Sequence, residues 1–234
     1  MKTLVIIPAY NEHRSILNVI ERVEAIEPKV DYLVVNDCSR DDTRAILHDN
    51  RASFLDLPIN LGIGGAVQSG YLYAREHDYD IAIQIDGDGQ HDPAYIPVLI
   101  NELTSTGVDC VVGSRFITNE GFQSSFMRRI GIRFLSSLVK LTCGLKVHDA
   151  TSGFRAVNKT GIDLFAKYYA QDFPEPESLV TLVCSGCKVT EVPVIMNERN
   201  FGSSSINNLK SIYYMTKVSL SIIMARFQFK KVVS

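Results

Sequence analysis

A short apolar run, Ile81-Ala-Ile-Gln-Ile85, leads directly into an acidic turn, Asp86-Gly-Asp-Gly-Gln-His-Asp92. The run predicts a buried strand, and open α/β sheets bind ligands at the carboxyl ends of their strands. Asp86 and Asp88, two residues apart on a turn loosened by glycines, can bind one hard cation, with Gln90 as a further oxygen ligand. The same residues also fit an Asx/Gly turn that only ends a strand, so the interpretation as a cation site depends on the neighbouring motifs.

The first half of the chain alternates strand patterns with helical ones. The strand patterns cover residues 3–7, 32–35, 53–57, 80–85 and 108–112. The helical patterns cover residues 12–26 and 62–77, and two more helices begin near Asp41 and Pro93. This alternation predicts an α/β fold with a doubly wound, mostly parallel sheet and helices on both faces. Right-handed crossovers would then bring the carboxyl ends of the strands to one edge.

Composition limits the classes of function that remain. The chain has 234 residues, 46% of them hydrophobic, which suits one sizeable domain or one domain with an appendage. A net charge of −2 gives no case for general nucleic-acid binding. The five cysteines are scattered, and the lone pair Cys184-Ser-Gly-Cys187 indicates buried thiols in a reducing cytoplasm rather than a zinc or redox site. We expect neither a signal peptide nor a spanning helix.

Two segments are both basic and apolar. Residues 122–147 carry five Lys or Arg and no acid, interleaved with large apolar residues, and residues 208–231 have the same character. Such a composition is typical of helices that lie on an anionic membrane surface. A core helix with a solvated basic face is the alternative for the first segment. For the second, a dimer interface or docking on a membrane-protein partner is the alternative.

Polar residues gather at the other predicted strand ends. The first strand runs into Pro8-Ala-Tyr-Asn-Glu12, where Tyr10 can pack against a flat ring and Glu12 can accept hydrogen bonds. Asp37 follows the second strand and is placed to bond a base or ribose, and a Gly-rich turn contributes Asn60 and Gly64. A cation carrying a diphosphate would relieve the negative charge that collects at this edge.

Five motifs in this order resemble a known family: Pro8-Ala-Tyr-Asn-Glu12, Asn36-Asp37 with Ser39, Asp86-Gly-Asp-Gly-Gln90, Gly113-Ser-Arg115 and Ser152-Gly-Phe-Arg155. The family is the family 2 glycosyltransferases of the GT-A fold, and the chain is similar above all to polyprenyl- and dolichyl-phosphate sugar transferases. The resemblance implies a glycosyltransferase domain over residues 1–205 that contains the basic segment 122–147. Residues 206–234 would form a C-terminal amphipathic helix that docks on the membrane or on a partner.

The resemblance also implies roles for individual residues. Asp86, Asp88 and Gln90 would bind Mg²⁺ or Mn²⁺, which holds the diphosphate of the donor. The nucleotide-sugar pocket would comprise Pro8, Tyr10, Glu12, Asp37, Asn60, Gly64 and Asp86. Arg115 and Arg199 would contact the phosphate of the acceptor. Arg199 lies in the segment Asn197-Glu-Arg-Asn-Phe-Gly-Ser-Ser204. Dolichyl-phosphate mannosyltransferases generally carry a lysine directly after this motif. The corresponding residue here is Ser205, which favours a UDP-sugar over GDP-mannose.

The function expected is inverting transfer of a hexose or N-acetylhexosamine to undecaprenyl phosphate, at the cytoplasmic side of the membrane, by a peripheral enzyme. A lipid phosphate is already anionic and needs no strong base. A sugar hydroxyl in a lipid-linked glycan, the alternative acceptor, would need Asp149 or an acid of Pro174-Glu-Pro-Glu177. A non-catalytic sugar-nucleotide-binding scaffold is the remaining alternative. A small membrane protein or a second copy is a possible partner.

Overall fold

The computed structural model describes residues 1–118, 120, 126–172, 174–197 and 208–229. Seven strands form one sheet: β1 (Thr3–Ala9), β2 (Asp31–Asn36), β3 (Phe54–Asp56), β4 (Ile81–Gln84), β5 (Cys110–Ser114), β6 (Arg155–Asn158) and β7 (Val189–Pro193). Their order across the sheet is β3-β2-β1-β4-β6-β5-β7. All neighbours are parallel except β6, which is antiparallel to both β4 and β5. The prediction of a mostly parallel sheet is confirmed.

The antiparallel strand β6 was not predicted, yet it shapes the functional edge. It enters between β4 and β5 so that Arg155 pairs with Gln84 and Val112 near the carboxyl ends of those strands. The loop before β6 therefore reaches the same edge as the acidic turn after β4. A Cβ on Gly153 of that loop would lie 3.4 Å from Asp86 Oδ1.

Eight helices cover the described parts of the sheet on both faces. They are α1 (Ile16–Glu24), α2 (Thr43–Asp49), α3 (Gly62–Glu76), α4 (Ile96–Thr106), α5 (Phe126–Cys143), α6 (Lys159–Lys167), α7 (Pro174–Cys184) and α8 (Asn208–Phe229). The helix expected to begin at Pro93 starts there as a single 3-10 turn, Pro93–Tyr95, which continues as α4.

The two faces of the sheet are buried under separate cores. Within β1, Leu4 and Ile6 pack into one core, whereas Val5 and Ile7 pack into the other. This alternation follows from the period of two of an extended strand. Helices α1, α2 and α4 cover the second core, and α3, α5, α6, α7 and α8 cover the first. The whole of β1 is buried, as expected for a strand with helices on both sides.

The helix α8 packs on the same core as the rest of the chain. Val218 and Ile222 are fully buried there, and α8 contacts both α5 and α7. The domain boundary at residue 205 stays a prediction, because residues 198–207 lie outside the described part. None of the described helices combines the length and apolar character needed to cross a membrane.

Candidate functional site

The acidic turn after β4 is held in one shape by its own hydrogen bonds. The Gln90 N–H donates to Asp88 Oδ1 at 2.9 Å, and the Asp86 N–H donates to His91 Nδ1 at 2.9 Å. Gly89 has a φ of +80°, in the left-handed region that favours glycine. Because Nδ1 of His91 is an acceptor, the ring proton lies on Nε2, which is 3.7 Å from Asp86 Oδ2. The histidine thus fixes the backbone at Asp86, as a hydrogen-bonded scaffold residue does.

The turn offers oxygen ligands that suit a hard cation. Asp86 has a side chain 37% exposed, Asp88 is 6% exposed, and both line a cavity. Among the residues that the structure describes, no group of three or more His, Cys, Asp or Glu side chains forms a protein-only metal cage. A cation bound by the two carboxylates and Gln90 would need further oxygens from water and a diphosphate, as Mg²⁺ usually has.

The cavity spans the carboxyl ends of β1, β2 and β4. Its volume is about 910 Å³, enough for a nucleotide-sized ligand. Six of the predicted nucleotide-sugar residues line it: Pro8, Tyr10, Glu12, Asp37, Asn60 and Asp86. Tyr10 is 42% exposed, so its ring is accessible for stacking. The structure therefore brings these residues together around one space, with the acidic turn at one side.

Asp37, which is predicted to contact a base or ribose, is hydrogen-bonded to the protein's own backbone. Its two carboxylate oxygens accept hydrogen bonds from the Leu61 and Gly62 N–H groups at 2.7 and 2.9 Å. Asn60 Nδ2 donates to the Asp37 backbone oxygen at 3.0 Å. Asp37 is only 3% exposed, so in this geometry it fastens the turn that opens α3 against the end of β2.

Gly64 does not line the cavity. A Cβ there would collide with the backbone oxygens of Ala170 and Gln171, and the Gly64 N–H donates to the Gln171 oxygen at 3.1 Å. The glycine is explained by this close approach of α3 to the loop after α6. Its predicted role in binding the nucleotide sugar is not supported by its position.

Arg115 and Asp149 form a buried ion pair beside the cavity. Nε and Nη2 of Arg115 donate to the two oxygens of Asp149 at 2.6 and 2.8 Å. Asp149 is fully buried and also accepts from the Thr151 hydroxyl at 3.1 Å. Burial by itself would lower the pKa of Arg115, but the hydrogen bonds and charge of Asp149 more than offset this and raise it. An aspartate held this way is poorly placed to take a proton from an acceptor, so the structure does not support Asp149 as a base.

Glu191 holds the backbone next to this ion pair by hydrogen bonds. Its carboxylate accepts from the Asp149 N–H at 2.9 Å and from the His148 N–H at 2.7 Å. His148 Nδ1 also lies 2.9 Å from the same carboxylate. Glu191 lies on β7, a strand that the sequence pattern did not reveal, so its contact with the loop before β6 could not be predicted.

Glu175 is the acid of the Pro174-Glu-Pro-Glu177 motif that reaches the cavity. It is half-buried at the start of α7 and lines the same space as Asp86. Burial raises the pKa of Glu175, Arg155 lowers it, and the Asp86 carboxylate raises it further. Arg155 is 1% exposed and donates to the backbone oxygens of Ser152 and Glu175 at 2.8 and 2.6 Å. It therefore ties the loop before β6 to α7.

The predicted acceptor contact Arg199, like Ser205, lies outside the described residues. Gln90 lies on the turn but is not among the residues that line the cavity. A mostly parallel sheet with an acidic turn and a cavity across its strand ends is the architecture of a nucleotide-binding α/β enzyme.

Comparison with known proteins gives the family. Residues 4–165 match the family described as "Glycosyl transferase family 2", and the chain belongs to this family. It is 31% identical over 217 residues to an undecaprenyl-phosphate mannosyltransferase of Micrococcus luteus, covering 88% of each chain. It is 29% identical over 209 residues to a UDP-N-acetylglucosamine–dolichyl-phosphate N-acetylglucosaminyltransferase of Methanococcus voltae, covering 81% of this chain and 83% of the relative.

A solved structure confirms the predicted GT-A fold. Glucosyl-3-phosphoglycerate synthase from Mycobacterium tuberculosis, in complex with Mn²⁺, UDP-glucose and phosphoglyceric acid, superposes with a TM-score of 0.70. The superposition covers 96% of this chain and 79% of the other, at 19% sequence identity. The resemblance inferred from the five sequence motifs is thus confirmed at the level of family and fold.

Proposed function

We propose that this glycosyltransferase moves one hexose or N-acetylhexosamine from a nucleotide-diphosphate sugar to a polyprenyl phosphate, with undecaprenyl phosphate as the preferred acceptor. The observation that carries the proposal is the cavity of about 910 Å³, whose lining combines Tyr10, Glu12 and Asp37 with Asp86 and Asp88 of the acidic turn. An accessible aromatic ring and a pair of carboxylates in one cavity suit the base and the metal-bound diphosphate of a nucleotide. Relatives that cover most of the chain are named as polyprenyl- or dolichyl-phosphate sugar transferases.

UDP is the nucleotide we favour. One relative is named for a UDP-sugar, another is named for mannose transfer, and the structural neighbour was solved with UDP-glucose. The resemblance to dolichyl-phosphate mannosyltransferases, which generally carry a lysine where this chain has Ser205, also argues against mannose. GDP-mannose has to be tested beside the UDP-sugars, because a mannosyltransferase is among the similar proteins.

Asp86, Asp88 and Gln90 would hold Mg²⁺ or Mn²⁺, which when bound neutralises the charge that develops on the departing nucleoside diphosphate. The chain's own residues hold the donor in place. The exposed ring of Tyr10 provides a stacking surface for the base. His91 fixes the Asp86 backbone, and Asp37 fixes the turn at the cavity wall.

The acceptor oxygen attacks the anomeric carbon from the face opposite the leaving group, so the configuration inverts. A phosphate acceptor is already anionic, and the site then has to position it rather than deprotonate it. Asp149 fixes the plane of the Arg115 guanidinium, and an oriented guanidinium suits a phosphate. We propose that Arg115, and Arg199 by resemblance, contact the acceptor phosphate.

Elongation of a lipid-linked glycan is the second candidate, and Glu175 is the observation that favours it. A hydroxyl acceptor needs a base near the working pH, and the raised pKa of Glu175 is a shift in that direction. Loss of turnover in Glu175→Gln with a sugar acceptor, but not with a lipid phosphate, would identify this second activity. A scaffold without catalysis would show no turnover with either acceptor.

We place the enzyme at the cytoplasmic side of the membrane as a peripheral protein, because its acceptor is a membrane lipid. A small membrane protein or a second copy of the chain remains a proposed partner. The catalytic domain is proposed to extend over residues 1–205, with residues 206–234 as the docking helix.

The direct experiment combines purified protein, Mn²⁺ or Mg²⁺, undecaprenyl phosphate in detergent and a panel of UDP-sugars and GDP-mannose. We expect one UDP-sugar to give a glycosylated lipid phosphate that mild acid cleaves. Product with GDP-mannose alone would contradict the UDP assignment, and elongation of an oligosaccharide without any lipid phosphate product would contradict the acceptor. Asp49→Asn, an exposed change of the same charge, is the control for variants of the acidic turn.

A further inference from the structure

The helix α5 presents an apolar stripe to the outside of the molecule. Ile132, Leu135 and Val139 point into the core, whereas Met127, Ile130, Phe134 and Leu141 lie on the opposite side of the helix. These four side chains are 74%, 46%, 51% and 84% exposed. Large apolar side chains gathered on one exposed face of a helix mark an interaction surface.

The helix α8 carries a matching stripe. Val218, Ile222, Ala225 and Phe229 are buried, whereas Leu220, Ile223, Met224 and Phe227 are between 41% and 69% exposed. The two helices contact one another, and the Met215 sulfur lies beside Gly131, 3.5 Å from where its Cβ would be. The stripes of α5 and α8 therefore belong to neighbouring helices; together they are called the docking face.

A basic cavity of about 520 Å³ borders the α5 stripe. Its cationic lining comes from Arg129, Arg133, Lys140 and Lys146, and its lining includes no acid. None of these four cations has an ion pair within the described parts of the chain. Phe116, Ile132 and Val147 supply apolar walls, and Ser136 and Ser137 add hydroxyl groups.

Charge is segregated strongly along this chain. Residues 126–147 and 208–229 carry eight Lys or Arg and no acid, although the chain as a whole has a net charge of −2. The rest of the chain therefore has a net charge of −10. An acidic protein that collects its cations beside an exposed apolar stripe is complementary to a surface that is anionic outside and apolar within.

We propose that the docking face is the membrane-binding surface of the enzyme and that the basic cavity along α5 binds the phosphate headgroup of an anionic phospholipid. The apolar stripes of α5 and α8 enter the boundary between headgroups and acyl chains. Phe116 lines the basic cavity and follows Arg115, whose charge is coupled to Asp86 and Glu175 at the donor cavity. Docking in this way places the proposed acceptor site close to the lipid surface.

A second copy of the chain fits this face less well than a bilayer does. A two-fold dimer through the docking face would bring the same row of cations from both copies together. Like charges opposed across an interface disfavour association. The anionic bilayer supplies both the apolar interior and the counter-charge.

The test uses the full chain and phospholipid vesicles that contain no polyprenyl phosphate. We expect co-sedimentation with vesicles of phosphatidylglycerol and phosphatidylcholine, little with phosphatidylcholine alone, and release at high salt. Each cation near the surface contributes about fivefold in partitioning, so the triple variant Arg129→Gln, Arg133→Gln and Lys140→Gln should bind about 100-fold more weakly. A variant with Leu141→Ser and Phe227→Ser should also lose binding while remaining folded, because both side chains are exposed.

The matched control is the triple variant Lys29→Gln, Arg51→Gln and Lys188→Gln, which removes the same charge from exposed positions away from the docking face. It should bind as the wild type does. Equal binding by the two triple variants, equal binding to neutral vesicles, or a solution dimer that the Leu141 and Phe227 substitutions dissociate would each overturn the proposal. The membrane-binding proposal rests on the proposed function only for its biological purpose. Transfer to acceptor in detergent should persist in the docking-face triple variant, so failure of binding and failure of catalysis are distinguishable.

Discussion

Replacing Asp149 by asparagine would leave the buried Arg115 guanidinium without its counter-ion. Asp149 is fully buried and receives two charge-assisted hydrogen bonds, at 2.6 and 2.8 Å, from that guanidinium. Removing one partner of a buried ion pair costs about 3–5 kcal/mol, because an uncompensated charge stays in a medium that solvates it poorly. At about 2–4 °C per kcal/mol for a chain of this size, the melting temperature should fall by roughly 6–20 °C.

Urea unfolding and thermal melting of Asp149→Asn measure this loss directly. The same variant, assayed at a temperature where it is folded, should have lower activity because Arg115 is no longer oriented. The shape of its pH–rate profile should match that of the wild type, since no proton-transfer group has been removed. The double variant Arg115→Met with Asp149→Leu should recover most of the stability without recovering activity.

The control is Asp78→Asn, which removes an exposed pair with Lys159 at 3.4 Å and should change stability by less than about 0.5 kcal/mol. An Asp149→Asn variant as stable as the control would show that the ion pair with Arg115 does not stabilise the fold. A wild-type stability combined with loss of the acidic limb of the pH–rate profile would instead make Asp149 a catalytic base.

Three further outcomes are expected. Asp88→Asn should abolish binding of Mn²⁺ with UDP, measured by electron paramagnetic resonance, and lower turnover at least about 100-fold; unchanged Mn²⁺ binding would remove the metal assignment. Burial raises the pKa of Glu175, so the native state binds its proton more tightly than the unfolded chain and loses stability as pH rises above the usual carboxyl range. Glu175→Gln should therefore stabilise the protein at pH 8 and not at pH 4. Urea unfolding that shows no such difference between the two pH values would contradict the burial of this carboxyl group. Gly64→Ala should lower the free energy of unfolding by about 3 kcal/mol, because its Cβ meets the Ala170 backbone. Gly62→Ala, which has open space around it at φ +76°, should lower it by about 1 kcal/mol. Thermal melts that show the reverse order would contradict the packing of Gly64.

The parallel half of the fold could be predicted because β1, β2 and β4 contain apolar runs that are each followed by a helical pattern. β6 could not, since its four residues, Arg155–Asn158, include a buried arginine that gives no apolar signal. The insertion of β6 between β4 and β5 nevertheless decides what lies beside the acidic turn. Sequence periodicity reports the face of a strand and carries no information about which distant strand pairs with it.

The site also has a part that could be predicted from the sequence and a part that could not. Residues at strand ends, such as Tyr10, Glu12 and Asp86, could be placed together because parallel strands end at one edge. The partners of Asp149 could not be identified, because Arg115 and Glu191 lie 34 and 42 residues away along the chain and meet it only through tertiary packing. The packing of Gly64 against Ala170 and Gln171 could not be predicted for the same reason, since a glycine needed for packing and one needed for a ligand look alike in sequence.

The central claim is that a sugar passes from a nucleotide bound across the strand ends to a lipid phosphate. Mass spectrometry of the lipid fraction, after incubation with undecaprenyl phosphate, Mn²⁺ and each donor in turn, tests it most directly. We expect one new species, a glycosyl phosphate lipid, which is absent with Asp88→Asn and present with Asp49→Asn. Absence of any glycosylated lipid phosphate with every donor, from protein that binds UDP and Mn²⁺, would contradict it.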